Sequence, residues 1–162
     1  MKFLLDTNIF IEAKNRYYGF DICPGFWDWM DAVCGREVGS IETVCDELMD
    51  GGDELAAWAK DRKDAAWLLK VDDEATQLNF ASVANYVSSQ QYTQPAIDKF
   101  LAKADPWLIA KAITIGARII THELPEHASK KRVPIPNVCD NFGIQCVNTF
   151  DALRHFSASF RL

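Results

Sequence analysis

The chain is short of positive charge: 17 Lys and Arg stand against 23 Asp and Glu, a formal net charge of −6. A protein that grips nucleic acid by overall charge needs the opposite sign, so contact with RNA would have to run through metal ions or a local basic patch. Paired cysteines are missing as well. Cys23, Cys34, Cys45, Cys139 and Cys146 are odd in number and contain no C-x-x-C pair, which argues against a disulfide framework or a zinc knuckle. They read as small core residues of a reducing cytosol. No apolar run reaches the ~18 residues that a membrane helix needs. The opening Met1-Lys2-Phe3-Leu4-Leu5-Asp6 meets a carboxylate too soon for the apolar region of a signal peptide. A soluble, cytoplasmic protein with no membrane partner is expected. Internal repeats, low-complexity stretches and Pro- or Ser-rich linkers are absent too.

What is there is enough to build a core. With 162 residues, 49% of them hydrophobic, and five Trp and ten Phe, one domain over residues 1–162 is expected. The apolar run Lys2 to Leu5 is closed by Asp6-Thr7-Asn8 and followed by Ile9, Phe10, Ile11 and Ala13, which reads as strand, then helix. Phe26, Trp27, Trp29, Met30, Val33 and Cys34 fit a helical face ended by Gly35, and Glu37 to Gly39 is at most a very short strand. Ser40 suits the cap of a helix carrying Ile41, Val44, Cys45 and Leu48, closed by Gly51-Gly52. Leu55, Trp58 and Ala59 fit one further helix, and Ala75, Leu78, Ala81 and Val87 a longer one. Trp67-Leu68-Leu69 between them is either a strand or a buried turn.

Pro95 opens a helix through Leu101. Asp105 then caps a segment running to Gly116, with Pro106 at its first helical position. Arg118 to Thr121 and Ile144 to Val147 read as buried parallel strands, and Thr149 caps a last helix through Phe156. Short strands alternating with helices indicate an α/β fold, a three-layer α/β/α sandwich around a mostly parallel central sheet.

In such sheets the working crevice lies beyond the carboxyl ends of the strands, so a polar residue directly after an apolar strand is a candidate site residue. Asp6 holds that place after the first strand; Thr121, His122 and Glu123 hold it after the Arg118 strand. Glu47, with Asp46 as its competitor, lies in the helix of Val44, Cys45 and Leu48, and Asp105 starts the helix leading to the Arg118 strand. Singly, each has an ordinary reading: Asp-Thr-Asn is a turn and cap, Asp105 a helix cap, Glu47 a solvated helix residue. Together, four converging carboxylates repel unless a cation neutralises them. An oxygen-only ligand set suits Mg²⁺ or Mn²⁺, whose chemistry serves phosphodiester hydrolysis. Thr7 and Asn8 would orient Asp6 by hydrogen bonds.

Other constellations fit less well. Lys130-Lys131-Arg132 is the basic cluster near the proposed crevice and can hold RNA phosphates, although a charge run is usually a solvated loop. His122 could donate to a phosphate or to Glu123, while His127 and His155 read as surface residues. A zinc site from His122, His127, Cys139 and Cys146 lacks standard spacing. A haloacid-dehalogenase-type phosphatase wants a second Asp two residues after the first, where this chain has Asn8. A phospho-receiver wants an acidic pair that Asp6-Thr7 does not supply.

Four blocks carry a family resemblance: Phe3-Leu4-Leu5-Asp6-Thr7-Asn8, Val44-Cys45-Asp46-Glu47-Leu48, Ala104-Asp105-Pro106-Trp107-Leu108-Ile109-Ala110, and Ile119-Ile120-Thr121-His122-Glu123. In content and order they resemble the PIN-domain family, short α/β nucleases. Pro136-Asn137-Val138-Cys139-Asp140 and Asn148-Thr149-Phe150-Asp151-Ala152-Leu153 are similar to a bacterial PIN-like subfamily. The resemblance implies Asp6, Glu47 and Asp105 as metal ligands in catalysis, with a fourth acid two residues after the strand-closing Thr121. Glu123 stands there where the family more usually has Asp or Asn, and Asp140 is the alternative. It further implies a Mg²⁺- or Mn²⁺-dependent endoribonuclease, similar to the VapC-like toxins of type II toxin–antitoxin modules. A cognate antitoxin is then the expected protein partner, and a homodimer could use the helix of Phe26, Trp27 and Trp29. The alternative from another class is a PIN-like module without turnover that binds RNA or a protein partner.

Overall fold

The computed structural model describes residues 1–160. Phe3–Leu5 forms strand β1, and all three residues are buried, as an apolar run covered on both faces requires. β2 (Val38–Ile41) lies on one side of β1 and β4 (Arg118–Ile120) on the other; β3 (Leu68–Leu69) and β5 (Cys146–Val147) form the edges. The order is β3-β2-β1-β4-β5 and every pairing is parallel, with Leu4 opposite Gly39 and Ile119.

Between β1 and β2 run α1 (Thr7–Glu12), which continues as a π-helical turn (Ala13–Tyr17), and α2 (Pro24–Val33). α3 (Glu42–Met49) and α4 (Glu54–Lys60) lead to β3. α5 (Glu74–Ser89), α6 (Gln94–Leu101) and α7 (Asp105–Ile115) lead to β4, α8 (Ile135–Phe142) leads to β5, and α9 (Thr149–His155) follows. With the right-handed crossovers that parallel strands impose, α1 to α4 cover one face and α5 to α8 the other. The packing agrees: α3 lies on α1 and α4, whereas α7 lies on α5, α6 and α8. This is the three-layer α/β/α sandwich, and its order of strands reverses direction between β1 and β4.

α7 ties the layers together. Its Leu108, Ile109, Ala110 and Ala112 are fully buried, and the helix packs on β1, β2 and β4. Each such Leu or Ile contributes about 1.5–3 kcal/mol by leaving water. Trp107 on its flank stacks on Phe80 of α5 at a ring separation of 3.8 Å. Gly116 ends α7 at φ 67°, a left-handed turn that a residue with a Cβ adopts only at a cost, and the chain then enters β4.

Several local expectations change. β2 extends through Ser40 and Ile41, so Ser40 does not cap α3; it is buried and donates its hydroxyl to the Leu5 carbonyl at 2.7 Å. Gly39 hid this strand from the pattern, yet a Cβ there would come 2.7 Å from the Trp67 carbonyl oxygen. Trp67-Leu68-Leu69 resolves as strand β3. Ala104, not Asp105, is the N-cap of α7, and Asn148, not Thr149, caps α9 by accepting from the Asp151 N–H at 2.9 Å. Leu78 is 64% exposed because α5 buries the face of Thr76, Val83 and Val87 instead. β5 is a half-buried edge strand, shorter than Ile144 to Val147. α8 was not anticipated, since its Pro134 and Pro136 masked a short amphipathic pattern.

Of the three aromatics on α2, Phe26 and Trp27 are core residues, 0% and 4% exposed, whereas Trp29 is partly buried. Phe26 stacks on Tyr18 at 4.3 Å and Trp27 on Phe20 at 4.1 Å. Among the described residues the five cysteines are free, with Cys34, Cys45 and Cys139 buried and Cys23 and Cys146 partly so. No helix among them is long and apolar enough to cross a membrane.

Candidate active site

The point where strand order reverses leaves a crevice at the carboxyl ends of β1 and β4, because the chain departs from these two neighbours toward opposite faces. Asp6 follows β1 directly. Its backbone N–H continues the ladder to the Ile120 carbonyl at 3.0 Å, and its side chain is only 1% exposed. It is the N-cap residue of α1, with no side-chain capping hydrogen bond of good geometry, although the Asn8 backbone N–H lies near enough to favour its ionised form. Its Oδ2 accepts from the Thr121 hydroxyl at 2.8 Å and from the Asn8 amide at 3.4 Å. Thr121 in turn accepts the Glu123 N–H at 3.1 Å, linking the ends of both strands. Burial pushes the Asp6 carboxyl up to about 6; Thr121 opposes this, and the charges of Glu123 and Glu47 add to it.

Asp105 reaches the same crevice as the first residue of α7, with no hydrogen bond to its carboxylate among the described residues. Burial, followed by the charges of Asp6, Glu123 and Glu47, pushes it up to about 7, and Lys103 partly offsets them. The four expected acids are therefore brought together. Glu47 is half-buried on α3 and acts by its charge on both Asp6 and Asp105, while Asp46 is exposed and does not. Glu47 Oε2 accepts from the Thr7 hydroxyl at 2.6 Å and Oε1 from the Ala104 N–H at 2.8 Å. Thr7 thus orients Glu47, not Asp6 as expected. Glu123 accepts from the Arg132 guanidinium through Oε1, and from the Ile135 N–H at the start of α8 through Oε2 at 2.7 Å. Asp140 is exposed on α8 and is not among the charges acting on Asp6 or Asp105.

The donor set suits a hard divalent cation: oxygen ligands only, including the carboxyls of buried Asp6 and half-buried Asp105, which desolvation first and neighbouring carboxylates second push up. Among the described residues no three Asp, Glu, His or Cys side chains stand close enough together to hold a metal ion, and Glu47 and Glu123 each accept a backbone N–H. The same observation leaves the imagined zinc site of His122, His127, Cys139 and Cys146 without support. His122 contacts the Thr149 hydroxyl at 3.1 Å, not Glu123, and burial lowers its pKa.

Of the basic cluster, Lys131 and Arg132 line the crevice beside Asp105 and Glu123, whereas Lys130 faces a separate hollow with Tyr92 and His127. Lys99 and Lys103 join Lys131 there, unforeseen from sequence. Their signal was available: both stand on the six-residue approach to Asp105, on the last turn of α6 and just past it.

A family model described as a domain of unknown function (DUF4411) matches residues 3–160. No curated protein matches the chain significantly. Among solved structures, the chain is similar to VapBC2 from Rickettsia felis, whose crystal structure is bound to a DNA fragment from their promoter. The TM-score is 0.54 and the identity 13%, over 91% of this chain and 98% of that one. It is equally similar to FitAcB from Neisseria gonorrhoeae, with a TM-score of 0.54 and 16% identity over 91% and 98% of the two chains. At these identities the likeness concerns the fold, which is PIN-like.

Proposed function

The chain belongs to the DUF4411 family, and from that premise we propose that it is a Mg²⁺- or Mn²⁺-dependent endoribonuclease, the toxin of a toxin–antitoxin module with a cognate antitoxin as partner. The observation that carries the reading is the pair Asp6 and Asp105. They are 99 residues apart in sequence, yet they meet at one crevice as carboxyls raised to about 6 and about 7. A fold keeps such repelling, buried acids at a cost, and a divalent cation is the partner that would remove it. The PIN-like fold shared with VapBC2 and FitAcB supports the toxin assignment.

Asp6 and Asp105 would hold the cation, with Glu47 and Glu123 completing or flanking the set. When bound, Mg²⁺ or Mn²⁺ supplies charge neutralisation, an acidified water and stabilisation of the charge that develops on the phosphoryl oxygens. The protein's part is orientation. Thr121 and Asn8 fix the Asp6 oxygens, Thr7 and the Ala104 N–H fix Glu47, and Arg132 with the Ile135 N–H fixes Glu123. Asp105, which has no hydrogen-bond partner among the described residues, is raised to about 7 by burial and neighbouring carboxylates, and a bound cation would favour its ionised form.

The test is cleavage of a panel of structured and unstructured RNAs by the purified protein with Mg²⁺, Mn²⁺ or EDTA. Metal-dependent cutting that Asp6→Asn and Asp105→Asn remove is expected. Mn²⁺ binding by calorimetry without any cutting would replace the enzyme with the inert binding module. A small neighbouring reading frame whose product co-purifies with the chain and blocks cutting is the expected sign of the antitoxin.

A further inference from the structure

The ion pair between Arg132 and Glu123 divides the crevice into two hollows that share Asn8. One, of about 410 Å³, lies against α6 and holds Lys99, Lys103 and Lys131 around Asp105. None of these lysines makes an ion pair among the described residues, although the chain as a whole carries a net charge of −6. Lys103, just past the carboxyl end of α6, has a simple helix-end role available, but Lys131 comes from a different segment and faces the same space. The other hollow, of about 490 Å³, has no lysine: Arg132 enters it already paired with Glu123, and Glu12, paired with Arg16, stands there with Glu126, His122, Pro125 and Leu124. Leu124 is 79% exposed, a large apolar side chain presented at the rim of a polar cleft.

We propose that a single strand of RNA crosses this crevice asymmetrically. Its phosphates on one side of Asp105 are held by Lys99, Lys103 and Lys131; on the other side it is held by an unpaired base against Leu124, Pro125 and His122. The proposal rests on the ribonuclease reading and specifies its ligand. Cations without partners attract phosphates, whereas the second hollow offers only a cation already paired with a carboxylate, beside Glu126 and the apolar Leu124 and Pro125, which leaves a base as the moiety it can take. A base is free to enter only from an unpaired strand, and the glutamate-lined side disfavours the phosphates of a second strand.

Binding of a short fluorescein-labelled single-stranded RNA is measured by anisotropy in EDTA over a salt series, so that the result does not depend on cleavage. The combined variant Lys99→Ala, Lys103→Ala, Lys131→Ala should reduce the slope of log affinity against log salt by about two, since each lost phosphate contact removes ~0.7. Lys130→Ala should leave the slope unchanged. Leu124→Ser should weaken binding by roughly fivefold or more at every salt concentration and keep the slope. A duplex of the same sequence should bind more weakly than the single strand. An unchanged slope in the combined variant, an equal effect of Lys130→Ala, no effect of Leu124→Ser, or tighter duplex binding would each overturn the proposal. If the protein cuts no RNA while the slope and intercept separate as described, the strand track stands and the ribonuclease reading falls. If it cuts RNA while the combined variant binds like the parent, the track alone falls.

Discussion

Asp6 and Asp105 differ from Glu47 and Glu123 in what holds their oxygens. Each glutamate spends both oxygens on donors from other segments: Thr7 and the Ala104 N–H for Glu47, Arg132 and the Ile135 N–H for Glu123. Glu47 thereby ties α1 and α3 to the start of α7, and Glu123 ties the end of β4 to the start of α8. Among the described residues Asp105 has no donor, and Asp6 has Thr121 and a long contact to Asn8. Glu47 and Glu123 therefore support the fold, whereas burial and neighbouring charges make ionisation of Asp6 and Asp105 costly. Acids whose ionisation the fold makes costly are the kind that functional sites collect.

The largest expected effect separates the pairs most sharply. Asp6→Asn or Asp105→Asn should lower metal-dependent RNA cleavage by at least roughly 10²–10³-fold, the scale of losing one electrostatic contact to the transition state. The same variants should be more stable than the parent above pH 7 in EDTA, by on the order of 2–3 kcal/mol, because a raised carboxyl pKa is a cost of ionisation. The sign follows from proton binding. Both carboxyls have folded values, about 6 and about 7, above their ordinary 3.8. Between those values the native state holds more protons than the unfolded one, so stability is greatest at the acid side of that window and falls as pH rises through about 7. Thermal melts of the metal-free protein across this range measure it; a rise in stability with pH from these groups would sink the comparison.

Glu47 should behave oppositely. Glu47→Ala leaves the Thr7 hydroxyl and the Ala104 N–H without acceptors and should destabilise the protein by about 1–3 kcal/mol at neutral pH. Denaturant melts beside Asp105→Asn would show one acid stabilising on removal and the other destabilising; equal signs would erase the distinction. A smaller effect concerns protons. Mn²⁺ binding should release protons at pH 6, where Asp6 and Asp105 are partly protonated, and essentially none well above pH 7. Calorimetry in buffers of different ionisation enthalpy reads this difference. Smallest is Glu123→Gln, about 1 kcal/mol, because the amide keeps an acceptor for the Ile135 N–H and the lost ion pair has its Arg132 end in solvent, with faster proteolysis between Leu124 and Arg132 as the sign of a loosened loop.

Much of this contrast was legible locally. Phe3-Leu4-Leu5-Asp6 announces a buried strand and the acid beyond it, because an apolar run closed by a polar residue is the same signal in any parallel sheet. The exposure of Asp46 against the inward turn of Glu47 follows from the helical period set by Val44, Cys45 and Leu48. Ser40 and Gly39 misled because a cap residue and a glycine look alike in a loop and in a strand that another backbone approaches closely. α8 was lost because prolines that open a short helix also mark turns.

By itself, then, the amino-acid order determined the α/β alternation and set the four acids at strand ends and helix faces, since periodicity and chain direction are local properties. Which of those acids would be satisfied and which left in tension belonged to the tertiary structure. The Ala104 N–H reaches Glu47 across 57 positions and the Thr121 hydroxyl reaches Asp6 across 115. Desolvation and repulsion likewise depend on neighbours in space. Lys99, Lys103 and Lys131 became one surface for the same reason: two distant segments close on Asp105 only when α6, α7 and the loop before α8 pack against the sheet.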